Sequence, residues 1–291
     1  MYAIMGITGH VGGVAARELL RHGHSLRALV RDVKKAAGWA EQGVELVEGE
    51  FTDADAVARV LSGAEAAFLM LPPFMAPAPG YPEAKAIIAS YVEALQHSTP
   101  ERLVVLSSIG SEQSHDLGLI TATHLFEQAL NDVTTPTMFV RAASFLENYL
   151  SSARAAAESG VFHTLWTPEE RAFPMIASED IGREIARRLV QRWTGTKIVE
   201  LGTPASPNDL ARAMSEAFGR PIEARSTPRD KWTSVLEVAR FAPRGIEAYS
   251  EMVDSCNSGW IGFGVDGTEP VAGTTTPTQF FATNVKAVSA L

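Results

Sequence analysis

The chain has one cysteine, Cys256, so no internal disulfide can form, and neither a Cys-x-x-Cys pair nor a Cys/His cluster is present to hold a structural metal. That usage fits a reducing, cytoplasmic setting, and no metal site is expected. Runs of Lys or Arg are also missing. With 25 basic against 34 acidic residues the formal charge is −9, which argues against direct nucleic-acid binding, because no series of phosphates would be neutralised. No stretch approaches the roughly 20 apolar residues that a membrane span needs. The apolar start, Met1 to Ile7, is too short for a signal-peptide core and runs straight into glycines. No internal repeat or low-complexity linker interrupts the chain. What remains is the composition of a soluble globular protein, with 46% hydrophobic and 20% charged residues in 291, long enough for one large domain or a domain with an appendage.

Short apolar runs rich in Ile, Val and Leu are separated by longer segments of helical period, the pattern of βαβ units that feed a parallel sheet. Strands are predicted at Tyr2–Met5, Leu26–Val30, Val44–Val47, Ala66–Leu71, Leu103–Ser107 and Thr137–Val140. Helices are predicted at Val11–His22, Asp53–Leu61, Glu83–His97, Leu117–Leu130 and Phe145–Ser159. Beyond Ser159 the spacing loosens. A strand at Lys197–Leu201 lies between helices starting near Ser178 and Ser206, each of which offers an N-cap acceptor with acids close behind. Amphipathic helices follow through Arg229–Arg240 and Pro243–Cys256. The expected fold is α/β, a Rossmann-type doubly wound parallel sheet over residues 1–159. A smaller, mostly helical C-terminal lobe over residues 160–291 is interleaved with it.

The segment Gly6-Ile-Thr-Gly9-His-Val-Gly12-Gly13 leaves the first strand and opens the first helix. There Gly6 permits the tight turn, Gly9 lets backbone approach a pyrophosphate, and Gly12 lets the helix pack closely on the sheet. The N–H groups at the helix start then face the phosphates. A tight turn that binds nothing is the competing explanation, and three glycines at three-residue spacing weigh against it. The second strand ends at Arg31, then Asp32, with Lys35 close behind. An acid at this place holds a ribose 2′-hydroxyl, whereas an arginine grips a 2′-phosphate. Arg31 with Lys35 favours NADP(H). NAD(H) is the alternative, if Asp32 points inward or Arg31 is merely a solvated strand-end charge.

The opening GITGHVGG, the strand end LVRD, the Glu50-Phe51 pair, Leu106-Ser-Ser-Ile109 and Arg141-Ala-Ala-Ser-Phe-Leu-Glu-Asn148 together resemble the NmrA-like branch of atypical short-chain dehydrogenases. The likeness covers about the first 150 residues, and past Ser159 it rests on Ser178-Glu-Asp-Ile-Gly alone. It implies NADPH-dependent quinone reduction, or dinucleotide binding by a redox sensor or transcriptional co-regulator without turnover. By that resemblance Thr8, Gly9, His10, Val11 and Gly12 would line the phosphates and Arg31 the 2′-phosphate. Glu50 and Phe51 would lie by the adenine, Leu71 and Pro72 beside the middle or nicotinamide end, and Ala143, Ser144 and Phe145 beside the nicotinamide. Phe51 and Phe145 are also apolar enough to be ordinary core, and Pro72-Pro73 can simply end a strand.

Typical short-chain dehydrogenases carry Tyr-x-x-x-Lys on the helix after the fifth strand, so that the lysine lowers the tyrosine pKa for proton transfer. Here those positions are Leu119 and Thr123, and the pair is absent. A literal match, Tyr81-Pro-Glu-Ala-Lys85, falls in a Pro-rich loop, Pro72 to Pro82, that reads as a lid over the crevice. Tyr81 can reach the cleft from there. His124 with Glu127 is a candidate acid/base pair or a solvated ion pair. Ser107, Ser108 or Asn148 can hydrogen-bond a substrate carbonyl, with capping or boundary roles as alternatives. His22 and His24 suit a helix end and lack a third ligand.

Two functions follow. In the first, hydride passes from NADPH to a quinone or another small planar acceptor that takes its protons from water, in a slot built from Phe74, Phe145, Phe162 and Trp166. In the second, the protein is an NADP(H)-binding sensor whose occupancy shifts a shape recognised by a protein partner, with Trp260 to Phe263 as a docking stretch. Homo-oligomerisation is open in both.

Overall fold

The computed structural model describes residues 1–290, with side chains through residue 284. Strands β1 (Tyr2–Ile4), β2 (Leu26–Val30), β3 (Glu45–Glu48), β4 (Ala66–Leu69), β5 (Leu103–Ser108) and β6 (Thr137–Ala142) alternate with helices α1 (His10–Arg21), α2 (Ala37–Ala40), α3 (Ala54–Leu61), α4 (Pro82–His97) and α5 (Thr121–Leu130). Next come β7 (Ser144–Phe145), α6 (Leu150–Ser159), β8 (Val161–Thr164), β9 (Phe173–Ile176), α7 (Ser178–Leu189), β10 (Lys197–Leu201), β11 (Thr203–Ala205) and α8 (Pro207–Phe218). The chain continues with β12 (Glu223–Ser226), α9 (Trp232–Val238), α10 (Pro243–Ser258), β13 (Glu269–Val271) and α11 (Pro277–Ala290). Eight strands form one sheet in the order β13-β10-β6-β5-β4-β1-β2-β3, parallel at every pairing. This is the Rossmann-type doubly wound sheet expected from the sequence.

Helices cover both faces of the sheet, so successive residues of one strand enter different cores. Tyr2 and Ile4 pack with Val11, Ala15 and Leu19 of α1 and with Ile181 and Ile185 of α7. Ala3 and Met5 turn to the other face, among Val57 of α3, Tyr91 of α4 and Phe126 of α5. Phe68, Phe126 and Phe139 are fully buried, and each contributes about 1.5–3 kcal/mol by leaving water. A third core gathers Leu146, Phe162, Trp166, Phe173, Met214 and Phe281 under the C-terminal half. Two small sheets, β11-β9-β7 and β12-β8, frame it. The chain also returns twice to the main sheet, where β10 pairs with β6 and β13 with β10. Asp180 anchors that return by accepting the N–H groups of Thr274 and Thr275 at 2.8 and 2.7 Å. Among the described residues no helix is long and apolar enough to cross a membrane.

The helix expected from Phe145 starts only at Leu150, because Ser144 and Phe145 pair with β9 and a 3-10 turn follows. Ser178 is not an N-cap. Ala177 holds that place, and the Ser178 N–H and hydroxyl both donate to the Glu147 carboxylate, at 3.0 and 2.6 Å. Ser206 does cap α8, in a reciprocal pair with Asp209.

Helices α1 and α7 cross at Gly182, where an added Cβ would stand 2.5 Å from the Val14 Cβ and 2.8 Å from the Val11 carbonyl oxygen. Gly182→Val is expected to destabilise the protein by about 1–3 kcal/mol. Urea unfolding measures this, and an unchanged midpoint would mean that the two helices have room to separate.

Candidate functional site

The sheet order reverses between β1 and β4, where the loops leaving the two strands diverge and open a crevice at their carboxyl ends. One side of the crevice is a cleft of about 350 Å³ lined by Gly6, Thr8, Gly9, Arg31, Glu50 and Phe51, with Met70, Pro72 and Pro73 from the end of β4. Gly6 sits at φ 69°, and a Cβ on Gly12 would lie 2.4 Å from the Gly6 carbonyl oxygen, so the turn and the helix start are in backbone contact. Helix α1 has Gly9 at its N-cap and no side-chain cap, and its first turn carries no acid. Its leading N–H groups are therefore left for a ligand or water. Arg31 is exposed at the cleft. Asp32 turns away from it and accepts the N–H groups of Lys34 and Lys35 at 2.9 and 3.1 Å.

On the other side of the β4 tip, Leu71 begins a second, apolar cavity of about 250 Å³. The strand ends supply Leu106, Ser107, Ala143 and Phe145, and the C-terminal half closes over them with Trp166, Phe173, Met252, Cys256 and Ile261. Burial pushes the Cys256 thiol up to about 12, so it stays neutral in an apolar wall. The hydroxyls of this cavity are already engaged. The single Ser107 proton goes to Glu127 Oε1 at 2.5 Å, since a carboxylate can only accept. Ser111 Oγ lies 3.1 Å from Ser107 Oγ. Thr123 lies 2.8 Å beyond Ser111 and 2.9 Å from the Ile120 carbonyl oxygen.

Beneath this chain of hydroxyls, Arg141 is buried on β6 and grips Glu127 through two hydrogen bonds of 3.0 and 2.7 Å. Its third nitrogen lies 2.9 Å from Glu112, off the hydrogen-bonding axis. Burial works against the Arg141 charge, yet its bonds to Glu127 hold the pKa above the ordinary value. Burial also raises Glu112.

The structure thus divides the sequence-derived residues between two adjoining spaces. Gly6, Thr8, Gly9, Arg31, Glu50, Phe51 and Pro72 line the first. Leu71, Ser107, Thr123, Ala143, Ser144, Phe145 and Asn148 line the second. Others lie apart. His10 is exposed, Val11 and Gly12 are buried, and the Lys35 amine sits in solvent 3.7 Å from Asp32. Tyr81 donates its hydroxyl to the Gly118 carbonyl at 2.5 Å, and burial raises its pKa, so it is not a poised acid. The expected pairing of His124 with Glu127 does not form, because Arg141 claims Glu127, and His124 Nδ1 lies 2.9 Å from the Ser111 carbonyl oxygen. Of the expected aromatic slot, Phe145 and Trp166 line the cavity, whereas Phe74 and Phe162 pack into cores. Trp260 is stacked on His115 with ring centroids 4.7 Å apart, and Ile261 is buried. Sequence reasoning did not find the Arg141–Glu127 pair or the closure by α10. A wider groove of about 830 Å³ lies outside α10 among Asp116, Glu247, Glu251 and Asp254, away from the strand tips.

A model of the NmrA-like family matches residues 2–259. The chain belongs to that family. It is 27% identical over 267 residues, 89% of its length, to the (4-alkanoyl-5-oxo-2,5-dihydrofuran-3-yl)methyl phosphate reductase of Streptomyces griseus, covering 88% of that protein. It is also 27% identical to quinone oxidoreductase 2 of Escherichia coli, over 81% of each chain. Among solved structures, triphenylmethane reductase of Citrobacter sp. complexed with NADP(H) superposes with a TM-score of 0.81 at 21% identity, over 98% of this chain and 99% of the other.

In this NmrA-like chain the buried pair has a measurable consequence. Arg141→Met leaves Glu127 without its cation, and is expected to cost about 3–5 kcal/mol in urea unfolding. Adding Glu127→Gln should recover part of that loss. If the double variant is as unstable as the two single changes summed, the pair is not coupled.

Proposed function

We propose that the chain is an NADPH-dependent reductase that passes hydride to a flat, conjugated acceptor such as a quinone. The observation that carries this reading is the pair of spaces that meet at the β4 tip, one lined by the glycine turn and Arg31, the other apolar with its Ser107 proton already given to Glu127. The glycine-turn end of this cleft fits a dinucleotide phosphate. The uncapped start of α1 offers N–H groups, no acid in its first turn opposes an anion, and exposed Arg31 suits a 2′-phosphate. NADPH, when bound, supplies a hydride.

The chain's own part is to place and to exclude. Ala143 and Phe145 from the strand ends and Trp166 and Phe173 from the covering segment line a small, mostly apolar cavity of about 250 Å³ with three aromatic rings, which favours a planar acceptor. A simple ketone needs an acid to protonate its oxygen as hydride arrives. Leu119 and Thr123 stand where the tyrosine and lysine would supply it, and Ser107 has no proton to spare. A quinone spreads the incoming charge over its ring and can collect its one remaining proton from water, which reaches the cavity past exposed Asn148. Hydride from the cofactor and one proton from water, taken up by the hydroquinone anion after the transfer, would complete the hydroquinone. The reductases among its relatives act on conjugated or unsaturated compounds by name. The division of the chain into a cofactor part before residue 160 and an acceptor part after it belongs to the same proposal.

Arg31→Ala should raise the NADPH dissociation constant about 10- to 100-fold, the worth of a charge-assisted contact. Binding of NADH should change little. Fluorescence titration measures both, alongside NADPH oxidation with a panel of quinones. Tight NADPH binding without oxidation would favour a regulatory protein, and absence of binding would sink the whole reading.

A further inference from the structure

The apolar cavity has a neighbour. A cleft of about 250 Å³ lies between the start of α6, strand β8 and helix α9, lined by Tyr149, Phe162, Leu236, Phe241 and Tyr249 among others. Asn148 and Trp166 line both spaces. Trp166 is buried, whereas Asn148 is exposed, so the two spaces share a wall at Trp166 and a solvent-facing edge at Asn148. A substituent that leaves the first space past Asn148 meets the second.

The mouth of the second cleft is polar at Asn148, Ser151 and His163 and apolar along α9. Val235 and Ala239 line it, and Val238 stands beside Ala239 with 84% of its surface in water. Val238 is the most exposed of the six large apolar side chains left in solvent among the described residues, and Val235, at 38%, is another. A folded surface rarely concentrates such residues on one short helix unless something apolar meets them. The Phe241 and Tyr249 rings, 5.3 Å apart, make the inner wall. Burial pushes the Tyr249 hydroxyl up to about 12, so that wall carries no charge.

We propose that the cleft beside α9 holds an apolar chain attached to the acceptor, and that the favoured substrates are planar heads bearing a hydrocarbon tail. This rests on the reading of the first cavity as the acceptor site. The head would lie against Phe145, the substituent would pass Asn148 at the shared edge, and the tail would shield Val235 from water. Each methylene that leaves water on the way adds to affinity and none adds to the chemistry. The tail therefore acts on KM, and kcat follows the head.

The test uses the full chain with NADPH and two acceptors, a 1,4-benzoquinone with a long unbranched alkyl chain and the same quinone without it. The tailed compound is expected to show a KM lower by about tenfold or more, with a similar kcat. Ala239→Trp, and independently Ser152→Trp on the opposite lip, should bring the ratio of the two KM values close to one. Equal KM values in the unaltered protein, or a ratio that survives both substitutions, would overturn the proposal. Calorimetric binding of the same two compounds separates this failure from that of the function. If neither quinone is reduced but the tailed one binds about tenfold tighter and loses that advantage in the variants, the cleft stands and the reductase reading falls. If neither binds, both fall.

Discussion

Loops that leave neighbouring parallel strands in opposite directions cannot cover the space between them, and in this fold that happens once, between β1 and β4. The crevice is a consequence of strand order, not of any side chain. Side chains decide what each half of it will accept. Residues 70 and 71 are successive along the chain end of β4, so their side chains leave in different directions. Met70 closes the glycine-lined cleft while Leu71 opens the apolar cavity. A ligand that reaches both spaces must cross this strand tip.

The second constraint is electrostatic. Burying a guanidinium is costly unless its donors are met, and Arg141 is met mainly by Glu127 on the neighbouring helix. That carboxylate keeps spare lone pairs, and one of them takes the Ser107 proton. A pair that ties α5 to β6 therefore also fixes the polarity of the cavity wall. Through Glu127, helix α5 thus holds the Ser107 proton away from the cavity.

Local sequence carried the first half of the molecule well, for physical reasons. The strands β1, β2 and β4 to β6 are buried on both faces and read as apolar runs, whereas the edge strand β3 is only half-buried, and the glycine turn is forced by backbone contact between Gly6 and Gly12. The capping signal at Ser206 was legible because both partners lie within one helical turn. The one at Ser178 misled, because the competing acceptor, Glu147, is remote in sequence. The same separation hid Arg141 from Glu127 and hid Met252, Cys256 and Ile261 from the cavity they close. Periodicity reports which face of an element is buried. It does not report which distant element buries it. The short strands β7, β9 and β11 escaped notice for a related reason, since two to four residues give too little period to detect.

The two halves of the chain therefore carry different kinds of information. The carboxyl edge of the sheet is set by topology and by backbone contacts, which tolerate few substitutions. The roof of the apolar cavity comes from side chains on the segment around Trp166 and on α10, held by packing in a separate core. A change of volume there alters the slot without disturbing the strand order that creates the crevice. If the glycine-lined cleft takes the dinucleotide and the roof chooses its acceptor, then relatives with one sheet and different roofs should reduce different molecules. Reductases of furanone phosphates, of quinones and of triphenylmethane dyes among the similar proteins are what such a division of labour would produce.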